Sequence, residues 1–470
     1  MLRVRKSAVG AVLALALMGG RAWADGGPPD SGPPPGQDGL GPAGQDAPGP
    51  DGIGQAAPAA PPPQSAPAPP APRPQLVDAI AGGKLILEAR ARYEHVDQAN
   101  LSAKADSLTL RTRLGWETAD YYGFKGLLEF DNVVHADGAH YNVAVPGGAS
   151  LNGKTQFPIV NDPAETSVNR AQITWTPSPM LQLTAGRQRV LLDDQRFIGN
   201  VGWRQHEQTF DAARADLTVG RLKASYAYVF RVNRIFGEKL NWTSDSHLLN
   251  VGYAVAEPLR VQGFVYALDF PNAVANSSLT YGARASGKAW VGLVQLAYDA
   301  TWARQQDYRH RTAPFRLDYW QVDLAGTFDI FTLKGDYESL AGNGARGFTT
   351  PLATTHGFQG WADAFAAVSG NKTHVDGIRD GNVSLVVRPR WRWPHLFNLE
   401  GLVRYHGFST ERTSAALGSE WDAQIQGAVT PNLTVAVKFA DFTRAATVPA
   451  GTTAPPPSRT KVWLTLEFKL

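Results

Sequence analysis

The chain has 470 residues, with 45 Lys and Arg against 42 Asp and Glu and no cysteine. The missing thiols exclude disulfides, thiolate nucleophiles and cysteine-ligated metals, and the near-balance of charge offers no global basic surface for nucleic acid. Abundant Gly (47), Trp (13), Tyr (14) and Phe (20) favour a strand-built barrel with aromatic girdles over a helical enzyme.

Arg3, Arg5 and Lys6 precede an apolar run from Ala8 to Met18 that is too short to span a bilayer, and Ala22-Trp23-Ala24 follows as a small-x-small cleavage site. Residues 1–24 therefore read as a Sec signal peptide, with Asp25 as the mature start. Loss of Arg3, Arg5, Lys6 and Arg21 turns the basic excess into a slight acidic one. No later stretch is long and apolar enough for a membrane helix, so a return to the membrane must be made by strands. Residues 25–78 form a second segment; 17 of the 33 prolines lie between 25 and 74. Such a composition buries almost nothing and predicts a disordered or locally polyproline II linker. The glycines at 36, 39, 41, 44, 49 and 52 break the three-residue period of collagen. Contact with peptidoglycan or a periplasmic partner is one role for this linker, and passive spacing is the other.

From 79 to 470 the chain repeats about ten alternating residues followed by a connection. The rows expected to face outward include Leu85/Leu87/Ala89/Ala91/Tyr93, Leu108/Leu110/Thr112/Leu114/Trp116 and Leu222/Ala224/Tyr226/Tyr228/Phe230/Val232. Further rows are Trp290/Gly292/Val294/Leu296/Tyr298, Phe397/Leu399/Gly401/Val403/Tyr405 and Leu433/Val435/Val437/Phe439. Short turns are expected near 119–122, 177–179, 220–221, 257–258, 286–288, 329–330, 388–395 and 431–432. Longer links are expected at about 96–105, 133–165, 191–207, 236–245, 270–277, 304–315, 341–381, 407–416 and 445–458. Eight short turns and nine long links make 18 strands, or 16 if residues 279–286 are loop. The last strand, Lys461 to Leu470, sets Val462, Leu464, Leu466, Phe468 and Leu470 on one face and Lys461, Thr465, Glu467 and Lys469 on the other. The fold class is thus all-β: a transmembrane antiparallel barrel of the Gram-negative outer membrane, in contact with lipid and lipopolysaccharide and wide enough for a lumen.

Arginines stand at inward positions: Arg90, Arg92, Arg111, Arg113, Arg170, Arg187, Arg189 and Arg214. As a ring they would guide anions. The alternative is a wall-stiffening ladder with Glu88, Glu94, Glu117, Glu129, Asp131 and Asp216. Later strands carry more inward acids (Asp323, Asp336, Glu338, Glu400, Glu420, Asp422), so the lumen charge is mixed.

The link after the fifth strand is densely polar, and here the chain resembles the alginate export family of outer-membrane porins. The residues that carry the resemblance are Gly186-Arg187-Gln188-Arg189, Asp193-Asp194-Gln195-Arg196-Phe197, Gly199-Asn200 and Trp203-Arg204-Gln205. A second such stretch lies in the longest loop, Thr350 to Phe365, with His356, Trp361 and Asp363. It either folds into the barrel mouth or caps the barrel. The resemblance implies an 18-stranded barrel with an arginine-lined lumen that passes an anionic polysaccharide. The chain departs from the exporter that names the family in one respect: its last periplasmic turn, Thr430-Pro-Asn-Leu433, is too short to serve as the plug that exporter has there.

No His-Glu-x-x-His, Gly-x-Ser-x-Gly or phosphate-loop signature occurs. His206-Glu207 near Asp193 and Asp194 does not amount to a metal site, and no cofactor or enzyme activity is implied. The leading expectation is a passive channel for anionic saccharides or other organic anions. Beside it stand a general or aromatic-solute uptake porin and a structural barrel. For the constriction, the link with Asp193, Asp194 and Arg196 is expected to fold inward and meet Arg111, Arg113 and Arg187, because neighbouring guanidinium groups relieve the repulsion between adjacent carboxylates.

Overall fold

The structure, a computed structural model, describes residues 75–470 except 137, 139, 145–148, 310–312, 367–372, 391–395, 448, 450 and 452. The signal peptide and nearly all of the Pro-rich linker lie outside the described residues. Linker character was expected as far as residue 78, but a short helix, α1, already spans Leu76–Ala81. The Trp116 indole donates to the Ile80 carbonyl at 2.8 Å and anchors this helix at the barrel rim. Gly83 is required there, since a Cβ would come within 2.4 Å of that indole nitrogen.

Eighteen strands follow. The first nine are β1 (Lys84–Gln98), β2 (Ala105–Glu117), β3 (Phe124–His135), β4 (Glu165–Ser178), β5 (Leu181–Gln188), β6 (Thr209–Val219), β7 (Leu222–Asn233), β8 (Trp242–Ala256) and β9 (Leu259–Leu268). The second nine are β10 (Ser278–Val291), β11 (Val294–Gln306), β12 (Arg316–Phe328), β13 (Phe331–Leu340), β14 (Ile378–Val387), β15 (Phe397–Ser409), β16 (Ala416–Thr430), β17 (Leu433–Arg444) and β18 (Arg459–Lys469). Each strand pairs antiparallel with its sequence neighbours. β1 closes the sheet on β18, with Ala89 opposite Phe468 and Arg92 opposite Thr465. Closure leaves no edge, which a strand-built wall in lipid demands.

The period-two alternation sets the wall. On β2, Leu110, Leu114 and Trp116 are exposed while Thr109, Arg111 and Arg113 are buried. Exposed aromatics gather at the short-turn rim, among them Trp116, Tyr122, Phe124, Trp175, Tyr253, Trp290, Phe328 and Phe331. Two-residue turns at Gly220–Arg221 and Gly292–Leu293 begin with a glycine at φ +55° and +60°, as tight hairpins favour.

The 18-strand expectation holds over its alternative, and two other expectations change. Residues 279–286 lie within β10, so the count is 18, not 16. Ser286–Lys288 is not a turn: β10 continues to Val291, and the row Trp290/Gly292/Val294/Leu296/Tyr298 is split between β10 and β11. Gly287 looked like a turn residue but serves a close approach, because a Cβ there would lie 1.7 Å from the Pro258 carbonyl oxygen. On β7 a bulge between Val229 and Arg231 shifts the phase, so Val232 points inward and is buried opposite Phe210.

An 18-stranded wall encloses more space than its own side chains fill. Much of that space is taken by two long connections, residues 189–208 after β5 and, after β13, residues 341–366. Val190, Phe197 and Ile198 form one interior apolar cluster with Phe264, Tyr266, Tyr319, Phe348 and Leu352. Trp361, Ala362 and Phe365 form another with Phe408, Phe442 and Trp463.

Candidate functional site

The two inward loops join one another. Ile198 and Leu352 form a parallel bridge, Gly199 N donates to Leu352 O at 2.8 Å, and Thr354 N donates to Gln195 O at 3.0 Å. Val201 holds φ +54°, a strained setting for a β-branched residue, and its N–H is bound by the Thr354 hydroxyl at 3.0 Å. The second loop therefore folds inward and does not cap the barrel from outside.

Wall pairs hold the first loop. The Arg196 guanidinium binds Glu338 of β13 and donates to the Thr350 hydroxyl at 2.8 Å. Arg204 reaches Glu94 at 3.0 Å, Asp363 at 3.6 Å and Asp162 at 3.7 Å. Burial works against the Arg204 cation, but those three carboxylates outweigh it and raise its pKa. Glu207 receives Arg189 at 2.6 Å and Arg113 at 3.5 Å. Burial alone would raise this carboxyl, yet the two guanidinium groups hold it down to about 2. His206 beside it bonds Asp131 at 2.9 Å.

Most of the inward arginines behave as a ladder. Arg111 pairs with Glu88 (3.0 Å) and Glu467 (3.2 Å), Arg170 with Glu129 (2.6 Å), Arg187 with Asp211 (2.8 Å) and Arg214 with Asp216 (2.7 Å). Arg113 lies 3.6 Å from Glu88 and 3.7 Å from Asp131. Arg90 binds Glu467 at 2.7 Å and also donates to the Gly202 carbonyl at 3.0 Å.

The partners expected for the aspartates are corrected. Asp193 and Asp194 do fold inward, but across the lumen to β8–β11, away from Arg111, Arg113 and Arg187. Asp193 accepts from Asn250 at 2.7 Å and from Gln262, and Asp194 lies 3.3 Å from Arg284. The reason is supply: the expected arginines are already paired by wall carboxylates. Burial pushes the Asp193 carboxyl up and the Asp194 charge adds to this, with Arg284 opposing.

The two inward loops and the wall meet at Trp203. Its ring stacks on His356 with centroids 4.2 Å apart and planes 6° apart. Arg92 stands 4.1 Å from the ring centroid and donates to the Trp203 carbonyl. The Lys438 ammonium also stands 4.1 Å from that ring, 3.5 Å from the Trp361 ring, and 2.8 Å from His356 Nε2. His356 Nδ1 contacts Asp363 at 3.1 Å, and Asp363 binds Lys461 at 3.2 Å. The Trp361 N–H points to Asp422 at 3.3 Å. Trp203 lines a cavity of about 390 Å3 on the long-loop side and another of about 350 Å3 that also meets Arg90, Arg92, Lys438 and Glu467. It is a septum between the two.

Sequence reasoning placed Lys461 on the charged face of the last strand without assigning it to the site, and it missed Lys438, Arg234 and Arg459. Lys438 was legible as an inward lysine on a strand whose outward row was already assigned. Arg234 and Arg459 sit at strand ends, where alternation assigns no face.

A closed 18-stranded wall, a lipid-facing apolar belt and an aromatic rim define a Gram-negative outer-membrane β-barrel. Residues 87–246 match the model of the alginate export family, the family that the Gly-Arg-Gln-Arg and Trp-Arg-Gln motifs resemble. Among solved structures the chain is similar to Pseudomonas aeruginosa OccK9 (OpdG), at 14% identity and TM-score 0.63 over 83% of this chain and 100% of that one. It is also similar to Pseudomonas aeruginosa OpdK with vanillate, at 14% identity and TM-score 0.59 over 83% and 99%. At these identities the likeness is one of fold. No curated protein matches the chain.

Proposed function

We propose that this barrel is a passive channel for anionic saccharides or other organic anions, of the alginate-export type. The observation that carries the reading is the charge at the septum. Most wall arginines are paired with carboxylates, whereas Arg92 and Lys438, both beside Trp203, have no carboxylate at ion-pair distance among the described residues. Uncompensated positive charge at a narrow, low-dielectric point attracts anions and repels cations. The family match over residues 87–246 supports the same substrate charge. In a salt gradient across a planar bilayer the protein is expected to give an anion-selective reversal potential, and a Lys438→Met variant a smaller one. A cation-selective or non-conducting protein refutes the reading.

A second reading, uptake of aromatic carboxylates, is favoured by the stacked Trp203–His356 pair and the indoles of Trp361 and Trp463 around Lys438. The OpdK structure with vanillate has the same type of fold. Liposome flux of uronate oligomers against vanillate separates the two.

A further inference from the structure

The outer cavity holds a cation without a counter-ion. Arg234 lies just past the end of β7, in the long connection before β8, and is 9% exposed. Its guanidinium carbon stands over Trp242, 3.7 Å from the ring centroid, and 5.3 Å from the Phe236 ring. Its Nη1 is buried with no hydrogen-bond partner. No carboxylate of the described residues reaches it at ion-pair distance, and burial pulls its pKa down to about 9. Of the other cations of this cavity, Arg204 is committed to Glu94 at 3.0 Å and Lys461 to Asp363 at 3.2 Å, and Arg459 donates to the Asp363 backbone carbonyl at 3.3 Å. A buried charge with an unused donor is unfavourable unless something pairs with it.

We propose that the outer cavity is a docking site for a hydroxylated carboxylate, with Arg234 as the group that receives the carboxylate. The proposal rests on the anion-channel reading and adds a site to it, on the long-loop side of the septum. Volume and wall composition set the ligand class. About 390 Å3 suits a ligand of one or two sugar rings. Its wall carries the side-chain amides of Gln98, Asn100, Asn142 and Asn161, which can exchange hydrogen bonds with ring hydroxyls. Phe157 supplies a flat apolar face for ring C–H groups. An unsubstituted aromatic acid would make no use of the remaining donors and acceptors of those amides, which favours the hydroxylated ligand. Contact with Trp242 restrains the Arg234 guanidinium at the cavity wall before the ligand arrives.

The test uses the full-length protein in planar bilayers, with glucuronate, benzoate and inorganic phosphate as probes added to either side. Glucuronate is expected to interrupt the current at lower concentration from the long-loop side than from the other. Arg234→Gln is expected to raise the half-blocking concentration from that side about tenfold, the loss of one charge-assisted contact, and Arg234→Lys to recover part of it. A variant blocked at the wild-type concentration overturns the site. Wild-type channels blocked by benzoate or phosphate at lower concentration than by glucuronate overturn the ligand class, a comparison that needs no variant. Arg234-dependent block in a cation-selective wild type supports the site while removing the channel reading.

Discussion

Glu207 is the group through which acid should release the first inward loop. It sits near the end of residues 189–208 and is held by Arg189 at 2.6 Å, Arg113 at 3.5 Å and the side-chain amide of Asn200 at 2.8 Å. Its pKa falls from 4.5 to about 2 when the loop is docked. A depressed carboxyl contributes docking energy that is complete above the undocked value of 4.5 and is lost as pH drops through the docked value near 2. At about 1.4 kcal/mol per pKa unit, the contribution at neutral pH is on the order of 3 kcal/mol. That agrees with the roughly 3–5 kcal/mol that breaking a buried pair removes. Glu207→Gln should therefore raise the population of undocked loop by about two orders of magnitude at pH 7. Single-channel recordings of the variant should show open-level fluctuations that the wild type shows only in acid, between about pH 4.5 and 2. A variant with quiet, wild-type traces at pH 7 and an unchanged acid response would refute the assignment of Glu207 as the anchor.

Three further outcomes follow from the same geometry. Trp203→Ala joins the outer and inner cavities of about 390 and 350 Å3, so conductance in KCl should rise several-fold while Arg92 and Lys438 keep it anion-selective; unchanged conductance places the septum elsewhere. Asp194→Asn removes one of two carboxylates at Arg284, and because Asp299 remains, anion selectivity should rise only slightly; a loss of selectivity would contradict this pairing. Leu114→Arg puts a charge on the lipid face of β2, which costs about 2–4 kcal/mol near the bilayer midplane and should lower the denaturant midpoint of the refolded barrel; a midpoint equal to wild type would contradict the outward assignment of that row.

The wall was legible because burial imposes a strict period of two: Leu110 and Leu114 against Arg111 and Arg113 could be assigned from alternation alone. Local backbone chemistry broke the reading twice. The β7 bulge moves Val232 inward with no sequence mark, and Gly287, next to Ser and Lys, imitates a turn while accommodating the Pro258 carbonyl. That the loop with Asp193 and Asp194 enters the lumen followed from its composition. Its partners did not, because pairing across a lumen depends on which wall charges remain free, and that is settled only by strand register. The same holds for Lys438, whose cage of Trp203, Trp361 and Trp463 draws on two loops and the last strand, far apart in sequence.

If the uncompensated cations beside Trp203 set the selectivity of an open path, removing them abolishes that selectivity. The reversal potential of the purified full-length protein in a KCl gradient tests it most directly, compared with the double variant Arg92→Gln, Lys438→Met. The account predicts an anion-selective potential in the wild type that collapses toward zero in the double variant. An equal potential in both proteins, or a cation-selective wild type, would contradict it.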